Sequence, residues 1–70
     1  MAYLTEVARE TFEDIAITIW RADYRSGKQD FRVYFEERET EYPMFRAATF
    51  QSARAYFEKT VSDCKKGWRP

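Results

Sequence analysis

Seventy residues, with twelve basic and twelve acidic side chains, no histidine and one cysteine, make a chain of zero net charge. A chain this short folds as one domain, 1–70, and buries only about 60% of its unfolded surface. Cys64 has no second cysteine for a disulfide and no histidine for the usual zinc site, so support must come from six Phe, five Tyr and two Trp or from another chain.

Residues 3–12 carry Leu4, Val7, Ala8 and Phe12 at i, i+3, i+4 and i+8, a single apolar stripe that predicts a helix. Glu13-Asp14 breaks the pattern. Next comes period-2 alternation. Ile15, Ile17 and Ile19 alternate with Ala16, Thr18 and Trp20, and after Ser26-Gly27, Phe31, Val33 and Phe35 alternate with Arg32, Tyr34 and Glu36. Alternation on both sides of a Gly-containing turn predicts a β-hairpin, with strands over 15–24 and 30–38. Odd positions must face odd positions for the apolar faces to coincide. Pairing Ile19 with Phe35 and Trp20 with Tyr34 meets this and leaves a three- or five-residue loop around Gly27.

Arg38-Glu39 reads as a tight turn into a third strand over 40–47. Its Pro43 cannot donate to a ladder, which places the strand at an edge or a bulge. The last element is a helix over 50–65. Thr49 is its N-cap, Phe50, Ala53, Phe57, Val61 and Cys64 form its core stripe, Lys65 and Lys66 lie in its last turn, and Gly67 sits where a C-cap belongs. The predicted fold is α+β, order α-β-β-β-α: a three-stranded antiparallel meander with both helices packed on one face.

No apolar run is long enough to span a membrane, and no basic segment leads into an apolar core as in a secretory signal, so a cytoplasmic setting is expected. Catalysis is not expected. The serines have no partner constellation, no Gly-rich loop could hold a phosphate, and no cofactor or metal is implied. Charge is segregated: acid dominates 1–14 and 36–41, while base dominates from Phe45 onward, an arrangement that can steer a charged partner.

The candidate partner-binding residues are on the hairpin. If odd positions face the helices, Trp20, Tyr24, Arg32 and Tyr34 share the outer sheet face, a combination of rigid aromatics and a planar cation typical of interface hot spots. Arg21 and Asp23 break the inner alternation, so the hairpin should reach past the helix. Arg21, Arg25, Lys28 and Arg32 would then form a basic tip able to grip phosphate or an acidic protein surface.

In size and architecture the chain resembles small inhibitors of phages and mobile elements, the anti-CRISPR proteins among them. That resemblance implies a non-enzymatic protein that occupies the surface of a protein or ribonucleoprotein complex inside the host cell. The order helix, three strands, helix also resembles the double-stranded-RNA-binding domain. That family relies on a basic cluster at the start of its last helix, where this chain reads Phe50-Gln51-Ser52-Ala53-Arg54 with one positive charge. A structural homo-oligomer, joined through an edge strand or the aromatic face, is the third expectation.

Overall fold

In the computed structural model, which describes residues 2–70, four strands are followed by one helix: β1 (Ala2–Phe12), β2 (Ile15–Tyr24), β3 (Gln29–Glu37), β4 (Thr40–Ala47) and α1 (Phe50–Lys65). The strands pair in chain order as an antiparallel meander. The order is therefore β-β-β-β-α, which overturns both the three-stranded sheet and the leading helix. It also removes the topological likeness to the double-stranded-RNA-binding domain.

Residues 3–12 form a strand because β2 offers them a complete ladder, from Ala2 opposite Tyr24 to Phe12 opposite Ile15. Tyr3, Thr5, Val7, Thr11 and Phe12 suit that ladder better than a helix. Glu6 lies opposite Trp20 and Ala8 opposite Ile19, so Val7 is an extra residue, a β-bulge. The bulge switches which parity faces α1. Ala8, Glu10 and Phe12 share a face with Ile15, Ile17 and Ile19, whereas beyond it Thr5 and Tyr3 take that face.

The β2–β3 hairpin keeps odd opposite odd but is displaced by two residues from the expected register. Ile19 faces Val33 rather than Phe35, and Trp20 faces Arg32 rather than Tyr34. The cause lies in the turn. Tyr24 N–H donates to the Lys28 carbonyl and Gly27 N–H donates to the Tyr24 carbonyl, both at 2.9 Å, closing a three-residue loop over 25–27. Gly27 takes the left-handed position, φ +90°, as the loop's last residue instead of its centre. The other two hairpins use two-residue loops. Their first residues, Glu13 and Arg38, adopt φ 56° and 57° without being glycine.

The core lies between the sheet and α1. Ile15, Ile17, Ile19, Val33 and Phe35 meet Ala53 and Cys64, with Phe12, Phe31, Met44, Phe57 and Val61 at its margin. Each such apolar side chain contributes about 1.5–3 kcal/mol when fully buried. Two aromatic pairs fasten the helix to the sheet: Phe31 against the edge of Phe50, centroids 5.7 Å apart, and Phe45 stacked on Tyr56 at 4.4 Å. Thr49 caps α1 by accepting from Ser52 N–H at 3.2 Å. At the other end Trp68 N–H donates to the Asp63 carbonyl and Gly67 N–H to Cys64, both at 3.0 Å, around Gly67 at φ +101°. Among the described residues no helix is long and apolar enough to cross a membrane.

Candidate partner-binding face

Among the described residues, the one helix packs on β2, β3 and β4 from a single side, and the opposite face of the sheet carries no helix. β2 and β3 place Thr18, Trp20, Ala22 and Tyr24 beside Asp30, Arg32, Tyr34 and Glu36 on this face. β4 adds Arg46 opposite Arg32 and Pro43 opposite Tyr34. Met44 is an extra residue between Pro43 and Phe45, and this second bulge turns Pro43 outward. One cross-sheet row therefore reads Glu6, Trp20, Arg32, Arg46.

Two arginines directly opposite each other on adjacent strands repel. Asp30 and Tyr24 resolve that repulsion. Arg32 Nε donates to Asp30 Oδ1 at 3.2 Å, while Arg46 Nε and Nη2 donate to Asp30 Oδ2 at 2.9 and 2.6 Å. The Tyr24 hydroxyl donates to Asp30 Oδ2 at 2.5 Å and accepts from Nη2 of both arginines, at 2.8 Å from Arg32 and 2.5 Å from Arg46. Burial works to raise the Asp30 carboxyl; hydrogen bonds from Tyr24, Arg46 and Arg32 outweigh it and hold the group below the usual carboxylate range. The Tyr24 hydrogen bond above all, opposed by burial, raises Arg32 beyond the ordinary guanidinium value, so it stays charged. One carboxylate against two guanidiniums leaves the cluster net positive.

Beside this cluster the rings lie close to the sheet. Trp20 Nε1 donates to the fully buried Thr18 hydroxyl at 3.1 Å, which fixes the indole. Tyr34, Pro43, Met44 and Phe45 join the two arginines in lining an open groove of about 320 Å³, at the low end of the range for ligand sites. The Arg46 side chain is 61% exposed and presents its guanidinium to solvent at the groove's edge, whereas Arg32 is 23% exposed and serves as its inner wall. An anchored planar cation, a second exposed one and an apolar floor suit a carboxylate or phosphate attached to an apolar or aromatic group.

The sequence-predicted residues do not form one surface. Trp20, Tyr24, Arg32 and Tyr34 share the outer face, but Trp20 and Tyr34 are diagonal neighbours, not a directly opposed pair. Arg25 lies in the exposed hairpin loop with Lys28 at its base. Arg21 sits on the α1 side opposite Phe31, where its Nε donates to Asp23 at 2.9 Å. Asp30 and Arg46 were missed. Asp30 has the same parity as Arg32 and Tyr34 and could have been assigned to their face; Arg46 could not, because the Met44 bulge breaks the β4 alternation. Compared with family models, curated proteins and solved structures, the chain matches none.

Proposed function

We propose that this chain is a non-enzymatic binding protein that seats the outer face of its sheet on an acidic surface of a larger macromolecular complex. The observation that carries this reading is the Arg32–Arg46 pair, held side by side by Asp30 and Tyr24 next to the Tyr34–Pro43–Met44 groove. Fixing two like charges in advance lowers the ordering cost of binding, and the adjoining Trp20 and Tyr34 rings supply area with few rotatable bonds. In its narrower form the proposal is inhibition. A protein of this size, once docked, acts by blocking what its target must contact, as the anti-CRISPR proteins do, and the setting is the cytoplasm.

The experiment is affinity capture from bacterial lysate, with and without nuclease, followed by mass spectrometry. Wild type should retain a nuclease-resistant protein complex. Trp20→Ala/Tyr34→Ala and Arg46→Glu should lose it while circular dichroism shows the fold intact. Capture that survives all three substitutions removes this face from consideration. Capture that vanishes with nuclease, together with affinity falling steeply with salt through counterion release, transfers the two arginines to phosphate binding.

A further inference from the structure

β1 is the longest strand, eleven residues, and among the described residues its outer edge pairs with no other strand. The opposite edge, β4, is blunted by Pro43, which cannot donate to a ladder. β1 has neither proline nor glycine nor lysine. It does expose apolar side chains: Tyr3 is 76%, Leu4 41% and Val7 37% accessible. A long unpaired edge of this kind is a template for another strand.

The β1 residues themselves indicate which strand. A two-fold axis that pairs two such edges antiparallel runs normal to the sheet, so opposed residues must come from the same face. In a regular strand that requires residues of equal parity. The Val7 bulge reverses parity halfway along β1, so the residues that share a face across the dyad have opposite parity. With the axis between Val7 and Ala8, Tyr3 falls opposite Phe12 of the second copy and Thr5 opposite Glu10, all on the α1 side. On the outer side Leu4 falls opposite Thr11 and Glu6 opposite Arg9. By symmetry the Glu6–Arg9 pair occurs twice. Within one copy Arg9 Nη2 donates to Glu6 at 2.7 Å and to Glu36 of β3 at 3.5 Å, so its guanidinium reaches inward across β2 and swings outward to meet the second copy's Glu6 when the edges pair. Opposite charges at directly paired positions favour a register, and like charges disfavour it.

We infer that β1 pairs antiparallel with β1 of a second copy about a two-fold axis between Val7 and Ala8. The product is a continuous eight-stranded sheet with both helices on one side and both outer faces on the other. This inference stands independently of the outer-face reading, since β1 contributes none of the Arg32–Arg46 groove.

Sedimentation equilibrium of the full chain over a wide concentration range tests it. Wild type should move from the 8.5 kDa of one chain toward twice that mass as concentration rises. Glu6→Arg and Arg9→Glu each turn two attractive cross-strand pairs repulsive and should weaken the dimer about tenfold or more. An equimolar mixture of the two variants restores both pairs in trans and should dimerise where neither variant does alone. A wild-type mass that stays at one chain throughout overturns the inference and leaves the edge to a strand from a different protein. Dimers unaffected by either variant, or no gain on mixing, overturn the pairing about Val7 and Ala8. The wild-type and mixing measurements need no variant to be dimeric by itself, and circular dichroism establishes that each is folded.

Discussion

Removing the Asp30 carboxylate tests whether the outer face is held in advance. The Asp30 side chain is 14% exposed and accepts from Tyr24 at 2.5 Å and from Arg32, itself 23% exposed, at 3.2 Å. Hydrogen bonds to a charged group contribute roughly 1.5–3 kcal/mol each when shielded, and partial exposure puts this pair at the low end. Arg46 is too solvated to add to the sum. Asp30→Ala should therefore cost about 2–3 kcal/mol, a large share of the roughly 4–10 kcal/mol expected of a domain this size. With a slope near 1 kcal/mol per molar, the urea midpoint should fall by about 2–3 M. The effect depends on pH in a defined direction. Because the folded carboxyl is held below its unfolded value of about 3.9, its contribution is present above that pH and is lost as pH falls through the folded pKa. The stability gap between wild type and Asp30→Asn should thus be full at neutral pH and close as pH falls through the lowered folded pKa. Urea titrations of both chains across that range measure it. A gap that stays constant with pH, or Asp30→Ala within about 0.5 kcal/mol of wild type, would show that the carboxylate does not organise the arginines.

Arg38 has φ 57° as the first residue of a two-residue loop, a conformation that costs an L-residue roughly 1–2 kcal/mol; Arg38→Gly should stabilise the fold by about 0.5–1 kcal/mol after glycine's entropy is deducted, and a lower urea midpoint would refute the strain. Thr49→Ala removes the oxygen that accepts from Ser52 N–H and should cost about 1 kcal/mol by thermal unfolding; an unchanged midpoint would mean that the cap contributes nothing. Burial, with Asp63 adding and Arg69 opposing, raises the Cys64 thiol above its usual range, so at pH 8 a thiol reagent should modify the native chain far more slowly than the urea-unfolded one. Equal rates would place Cys64 at the surface.

The elements after residue 14 were legible because their signals are local, whereas the fold as a whole was not, since its first strand was read as a helix. The bounds of β2, β4 and α1 coincide with those read from alternation and from the Ala53–Phe57–Val61–Cys64 stripe. The hairpin faces followed from parity alone. Its register did not, because the place of Gly27 within the loop is set by turn geometry and not by the strands. The N-terminal segment was misread for a physical reason. α1 lies over β2, β3 and β4, so β1 is shielded at scattered points, and its partly buried residues are Ala2, Thr5, Ala8 and Phe12. Of the Leu4–Val7–Ala8–Phe12 stripe only Ala8 and Phe12 are among them; Leu4 and Val7 are exposed on the bulged edge strand, so the helical spacing of apolar residues did not mark a shielded face. Apolar spacing identifies the backbone only when one layer covers the whole element.

The two bulges connect this misreading to what the chain can do. In a strand of strict alternation, Pro43 would face α1 with Phe45 and Ala47, and Tyr34 would have no proline opposite it. The extra Met44 turns Pro43 outward to floor the groove and puts its own side chain against the core. On the far edge, the extra Val7 carries Tyr3 and Thr5 to the helix side and Leu4 and Glu6 to the outer side. Without it, Glu6 would lie on the face opposite Arg9, and no two-fold pairing of β1 could join them. Both departures from period 2 sit on edge strands, where a ladder interrupted on one side leaves the central β2–β3 pairing untouched. The central hairpin carries the regular ladder, and the irregular edges decide which side chains each face of the sheet presents.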